Sequence, residues 1–191
     1  MFAVRVHGRG GQGVVTAAEL LSVAAFLEGR HAQAFPSFGS ERTGAPVEAY
    51  CRIDDRPIRA HEPVLDADAL IVQDASLFGS VDVLAGLVPG GLVLVNSART
   101  AAELGLAALP GVLTVPATDL ARRLVGRPVP NVPLLGAFAA ATGLVSLDAV
   151  TAAVRQRFSG PVADGNVAAA VAAHALLRER SMKERTDAHA G

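Results

Sequence analysis

"VHGRGGQGVV", residues 6–15, places four glycines (Gly8, Gly10, Gly11 and Gly13) within six positions, directly after a short apolar run. The preceding "FAVRVH" (2–7) alternates as a strand does. The following "VVTAAELLSVAAFLEGR" (14–30) carries apolar residues at helical spacing and closes on Gly29, a C-cap residue type. The glycines therefore lie on a strand-to-helix turn, and "GRGGQG" fits G-x-G-x-x-G at Gly8, Gly10 and Gly13. Glycine tolerates positive φ and lets backbone N–H groups approach a ligand, and the helix N-terminus behind it carries partial positive charge. Phosphate or pyrophosphate is the natural guest. The alternative is a tight turn that lets the helix pack close to the sheet.

The dinucleotide version of this motif wants an acid at the end of the second strand, roughly 20 residues on, to hold a ribose. Glu28 has about that spacing but falls at the end of the predicted helix, and "HAQAF" (31–35) ends in Pro36 and Ser37. A P-loop is excluded, because no Gly-Lys-Ser/Thr follows.

Outward from this turn, strands and helices alternate. A strand at 31–35 leads through a polar loop to a second near 47–53, with Asp54 and Asp55 turning the chain. "DALIVQD" (68–74) reads as a buried strand, 76–86 as a short helix, and "GGLVLVNS" (90–97) and "GVLTVPA" (111–117) as strands. "TDLARRLV" opens a helix that Thr118 or Asp119 would cap, and helices follow at 131–143, 147–158 and 164–181, with Ser146 or Leu147 to Asp148 and Asp164 to Asn166 offering caps and first-turn acids. The polar tail 182–191 reads as frayed. The expectation is one α/β domain over 1–181, with a mixed or mostly parallel sheet flanked by helices and a C-terminal helical cluster.

Composition narrows the function classes. The chain has 191 residues, a formal net charge of -1, 51% hydrophobic residues and no Trp. That leaves no basic field for nucleic acid. No apolar run reaches the ~20 residues of a membrane span, and the N-terminus lacks a signal-peptide apolar region, so the cytoplasm is the expected place. The one cysteine, Cys51, makes neither a disulfide nor a cluster site and reads as a small buried residue. The five histidines show no metal-ligand spacing, and His7 reads as a core histidine.

A second polar loop, "FPSFGSERTGAP" (35–46), gathers Ser37, Ser40, Glu41, Arg42 and Thr43. Arg42 is a planar fork suited to phosphate or carboxylate, although Glu41 beside it equally suits a solvated loop. Asp74 and Asn96 end predicted strands, where ligands of α/β sheets often sit, yet either equally forms a local turn. Asn131 and Gly136, in "PNVPLLGA", read as a helix cap and a close-packing residue.

Taken together, "GRGGQGVVTAAELL", "AFPSFGSERTGAPVEAYCRI" and "PNVPLLGAFAAATG" resemble the gamma subunit of 2-oxoacid:ferredoxin oxidoreductases, in order and from about residue 4 to 178. "SERTGAP" looks most like the pyruvate branch; other branches tend to carry a Gly-Gly pair after the Arg. The resemblance implies a hetero-oligomeric enzyme that oxidatively decarboxylates a 2-oxoacid with coenzyme A. It implies thiamine diphosphate, magnesium and iron–sulfur clusters on partner alpha and beta subunits and a ferredoxin-like subunit, with ferredoxin as acceptor. "ADGN" (163–166) is faintly similar to a diphosphate motif of thiamine enzymes but lacks its first Gly, and reads better as a helix start capped by Asp164. This chain's implied part is to bind coenzyme A and to wall the thiamine site, without activity alone. Gly10, Gly11, Gln12 and Gly13 would cradle the pyrophosphate, and Ser40, Arg42 and Thr43 would hold a second polar or anionic part. A free-standing dinucleotide-binding oxidoreductase domain and a ligand-free structural subunit are the competing readings.

Overall fold

A computed structural model describes residues 1–37, 44–60 and 64–189. Six strands form one mixed sheet: β1 (Phe2–Arg9), β2 (His31–Pro36), β3 (Pro46–Asp54), β4 (Ala67–Val72), β5 (Leu87–Asn96) and β6 (Val112–Val115), in the order β2-β3-β1-β4-β5-β6. β3 runs antiparallel to both β1 and β2, while β1, β4, β5 and β6 are mutually parallel. β1 is central, with Val6 opposite Ala49 on one side and Ile71 on the other, and its six inner residues are all buried. A strand buried on both faces needs the near-continuous apolar run that Ala3, Val4 and Val6 supply.

Five helices follow the expected order: α1 (Val14–Leu27), α2 (Ala117–Leu124), α3 (Asn131–Thr142), α4 (Leu147–Arg157) and α5 (Gly160–His189). α1 buries Val14, Ala17, Ala18, Leu21, Ala24 and Ala25, the stripe expected at helical period. It ends at Gly29, whose φ of 77° lets its N–H reach the Phe26 carbonyl at 2.9 Å. The larger core lies between one sheet face and α1, α3, α4 and α5. α3 is the inner helix: every residue from Asn131 to Ala139 is buried, and a Cβ on Gly136 would stand 2.1 Å from the Ala170 carbonyl oxygen of α5. A smaller core (Leu70, Val72, Leu77, Val93, Val95) occupies the opposite face under irregular chain.

Four expectations are corrected. The helix at 76–86 is only a 3-10 turn, Ala75–Gly79, because Gly79, Val81, Val83 and Gly86 are weak helix formers and Gly86 takes φ 69°. Neither Thr118 nor Asp119 caps α2: its N-cap is Pro116, and the Thr118 N–H is satisfied by Asn96 Oδ1 at 3.0 Å. α5 starts at Gly160, so Asp164 is not its cap and instead pairs with Arg155 at 2.9 Å. α5 also continues through the polar tail to His189 rather than fraying after 181. Ser146 does cap α4, accepting from the Ala149 N–H at 3.0 Å.

Candidate functional site

From β1 the chain crosses through α1 to the left of the sheet, and from β3 it passes to β4 on the right. The carboxyl ends of β1 and β4 therefore flank a topological switch point, the place where open α/β sheets bind ligands. Arg9, Gln73, Asp74 and Asn96 gather at these strand ends, and the glycine loop lies over them.

The loop is built for close approach. Gly11 and Gly13 take φ of 94° and 74°, and a Cβ on Gly8 would stand 2.5 Å from Val14 and 3.2 Å from the Gln73 Cβ. The first N–H to find an intrahelical partner in α1 is that of Ala17, on the Gly13 carbonyl at 2.9 Å. Val14, Val15 and Thr16 therefore leave the usual unpaired donors of a helix N-terminus. The N–H groups of Gly11 and Gly13 make no hydrogen bond to a described residue. Gly10 is committed: it donates to Ala45 O at 2.9 Å and its carbonyl accepts from Gly44 N at 3.2 Å. This exchange joins the glycine loop to the chain entering β3, so the two predicted loops meet. Ser40, Arg42 and Thr43 themselves lie outside the described residues.

Gln12 is an internal pin. Its Oε1 accepts from the Arg9 N–H at 2.8 Å, and its Nε2 donates to Asp74 Oδ2 at 3.3 Å. Asp74 also accepts from the Ser76 N–H at 3.0 Å and pairs with Arg9 Nε at 3.0 Å. Burial alone would raise the Asp74 pKa; the Ser76 and Gln12 hydrogen bonds and the Arg9 charge outweigh it and hold the carboxyl below its ordinary value. Asn96 ties β4 and β5 to α2, donating to Gln73 O and Thr118 Oγ1 at 2.8 Å each. Asn131 is the first residue of α3 rather than its cap, which is Pro130; its side chain accepts from the Val132 N–H at 2.8 Å and leans on Gly13. Asp74, Asn96 and Asn131 thus hold the frame of the site. Arg9 fills an unspecified x position of the G-x-G-x-x-G pattern, so spacing gives it no role; only its tertiary partners reveal it.

Other ionisable groups are tuned by burial. His7, 2% exposed, lies 3.4 Å from Glu48, yet burial pulls its pKa down to about 4, against the opposing pull of Glu48. It is a neutral core histidine. Tyr50 donates to Glu48 Oε2 at 2.8 Å, and burial and that bond raise its pKa. Cys51 is fully buried, and burial pushes its thiol well above the ordinary range.

Glu28 does not serve a ribose. It sits at the opposite end of α1 from the glycine loop, where its Oε1 accepts from the Ser146 N–H at 3.0 Å. The sequence offers one thiol, and no group of three or more His, Cys, Asp or Glu among the described residues could hold a metal ion. An iron–sulfur cluster does not fit this donor set.

Residues 3–176 match the family model described as pyruvate ferredoxin/flavodoxin oxidoreductase. The chain belongs to this family. A pyruvate/ketoisovalerate oxidoreductases common subunit gamma from Thermococcus kodakarensis is 49% identical over 173 residues, covering 89% of this chain and 94% of the relative. The pyruvate synthase subunit PorC of Methanothermobacter marburgensis is 45% identical over 178 residues, covering 93% and 98%. The crystal structure of pyruvate oxidoreductase subunit PORC from Thermotoga maritima superposes with a TM-score of 0.79 at 35% identity, over 91% of this chain and 94% of that one. The chain is a gamma subunit of a multi-subunit pyruvate/2-oxoacid:ferredoxin oxidoreductase. Its glycine loop lies at the sheet's switch point, and among its described residues no helix is long and apolar enough to cross a membrane.

Proposed function

We propose that this gamma subunit binds coenzyme A and helps to close the thiamine site during oxidative decarboxylation of a 2-oxoacid, with pyruvate as the substrate class. The observation that carries the reading is the join between the two polar loops. Gly10 and the Gly44–Ala45 segment exchange backbone hydrogen bonds beside the N–H groups of Gly11, Gly13 and the first turn of α1, which find no partner among the described residues. Several donors on one helix N-terminus suit a pyrophosphate, and their fixed geometry favours positioning over bond making. Gly10 and Gln12 shape the loop, while Gly11 and Gly13 offer its donors. Ser40, Arg42 and Thr43 precede Gly44 in the sequence, and in this reading the Arg42 guanidinium holds a further phosphate or carboxylate.

Thiamine diphosphate and magnesium belong in this reading to alpha and beta subunits, and iron–sulfur clusters to a ferredoxin-like subunit that passes electrons to ferredoxin. Thiamine supplies the stabilised acyl carbanion equivalent when bound there. The gamma subunit contributes no reacting group: it holds the coenzyme so that the thiol faces that site, and it excludes water. The complex is cytoplasmic in this reading, and the isolated chain is inactive.

The test is steady-state kinetics of the assembled complex. Arg42→Ala is expected to raise the KM for coenzyme A by about tenfold or more, with assembly and the KM for pyruvate unchanged. An unchanged coenzyme A KM overturns the reading, as does pyruvate-dependent ferredoxin reduction by the chain alone.

A further inference from the structure

We propose that Arg9 is a positioning residue for the coenzyme, clasped by Asp74 so that the glycine loop and the start of β3 form one cradle; the inference rests on the coenzyme A reading above. Arg9 is the last residue of β1 and lies inside the glycine motif, with its guanidinium at the switch point. Its Nε donates to Asp74 Oδ2 at 3.0 Å, one terminal nitrogen donates to Gly44 O at 3.1 Å, and the other donates to Ser76 Oγ at 2.9 Å. Its own backbone is tied to Gln12 in both directions, with N–H to Oε1 at 2.8 Å and carbonyl from the Gln12 N–H at 3.0 Å. One side chain therefore joins three segments far apart in sequence, residues 9–12, 44 and 74–76.

The partners decide the role. A guanidinium already shared among a carboxylate, a carbonyl and a hydroxyl is committed to the frame, and its charge is balanced by Asp74. That argues against Arg9 as a phosphate ligand and for Arg9 as the part that sets the spacing of the groups that are. Asp74 is itself held, by the Ser76 N–H at 3.0 Å, the Ser76 hydroxyl at 2.6 Å and Gln12 Nε2 at 3.3 Å, so the clasp has a fixed anchor. An isolated exposed ion pair contributes little. Here the same guanidinium holds Gly44, whose N–H also bonds Gly10 O at 3.2 Å, so losing it loosens both loops together. Lysine cannot replace it, because one ammonium lacks the three-way fork.

The experiment compares Arg9→Ala, Arg9→Lys, Asp74→Asn and Arg42→Ala in the assembled complex. Coenzyme A binding is read by titration calorimetry, and the KM values for coenzyme A and pyruvate by steady-state turnover. Arg9→Ala and Asp74→Asn are each expected to weaken coenzyme A binding about tenfold, since misplacement of a held group costs up to ~100-fold. The pyruvate KM should stay unchanged, Arg9→Lys should recover only part of the loss, and a further variant that combines Arg9→Ala with Asp74→Asn should be no worse than the worse of the two alone. Should Arg9→Ala fail to assemble, the near-isosteric Asp74→Asn carries the same expectation. Coenzyme A binding lost in Arg42→Ala but kept within twofold in the Arg9 and Asp74 variants overturns the clasp and leaves the coenzyme reading standing. Equal losses for coenzyme A and pyruvate make Arg9 merely structural and also overturn it. Binding unchanged in all four variants overturns the coenzyme reading itself.

Discussion

Asn131, the first residue of α3, occupies the space that a side chain on Gly13 would need: a Cβ there would stand 2.5 Å from Asn131 Nδ2, which donates to Gly13 O at 3.4 Å. The contact sets the N-terminus of α3 against the N-terminus of α1, although 118 residues separate the pair. Gly13→Ala is expected to destabilise the chain by about 1–2 kcal/mol from its positive φ alone, with more from displacing Asn131. Adding Asn131→Ala should relieve the steric part and leave the conformational part. A urea-unfolding double-mutant cycle reads this as a coupling of about 0.5–3 kcal/mol; strict additivity would refute the contact.

Gly136 meets backbone rather than side chain, with the Ala170 carbonyl oxygen 2.1 Å from where its Cβ would stand. No rotamer can clear that space, so α3 and α5 must separate. Gly136→Ala should cost about 1–3 kcal/mol of overpacking, seen as a lower urea midpoint at unchanged slope. A neutral or stabilising result would show that the helices are not in backbone contact.

His7 sets an acid limb of stability. Its pKa falls from 6.5 to about 4 on folding, chiefly through burial. The unfolded chain therefore takes up this proton first as pH falls. The stability His7 allows is fully present above pH 6.5 and is lost as pH drops toward 4, with a slope of up to about 1.4 kcal/mol per pH unit. His7→Gln should flatten that part of the stability–pH curve whatever it does to the absolute value. An equally steep curve in the variant would assign the slope to other groups.

Cys51 should be inert in the folded chain. It is fully buried and its thiol is held protonated by that burial, whereas alkylation needs an exposed thiolate. Mass spectrometry should find iodoacetamide adducts only after denaturation. Rapid modification at native pH would contradict its place in β3.

Much of the architecture can be read from local pattern. The first strand, the glycine turn, α1 with its Gly29 terminus and the Ser146 cap each depend on neighbours a few residues away, and each stands where the sequence puts it. The misreadings have different causes. The apolar residues of 76–86 suit a helix but cover the second face of the sheet as turns. Thr118 looks like a cap, yet Asn96 from β5 supplies the hydrogen bond. Asp164 looks like a helix start, yet α5 begins a turn earlier.

The same division runs through the site. By itself the sequence determined that a strand opens through bare backbone into a helix, because glycine's missing Cβ is a local property, and its motifs carried the family. It also determined that one thiol cannot hold a cluster. Which donors find no partner among the described residues, and which side chains are spent on the frame, only the tertiary structure decided. Gln12 and Arg9 are spent because Asp74 comes to them from just beyond β4, and Gly10 is spent because Ala45 comes to it from the chain entering β3. Hydrogen bonds form between groups that folding brings within about 3 Å, and sequence spacing does not encode which groups those are.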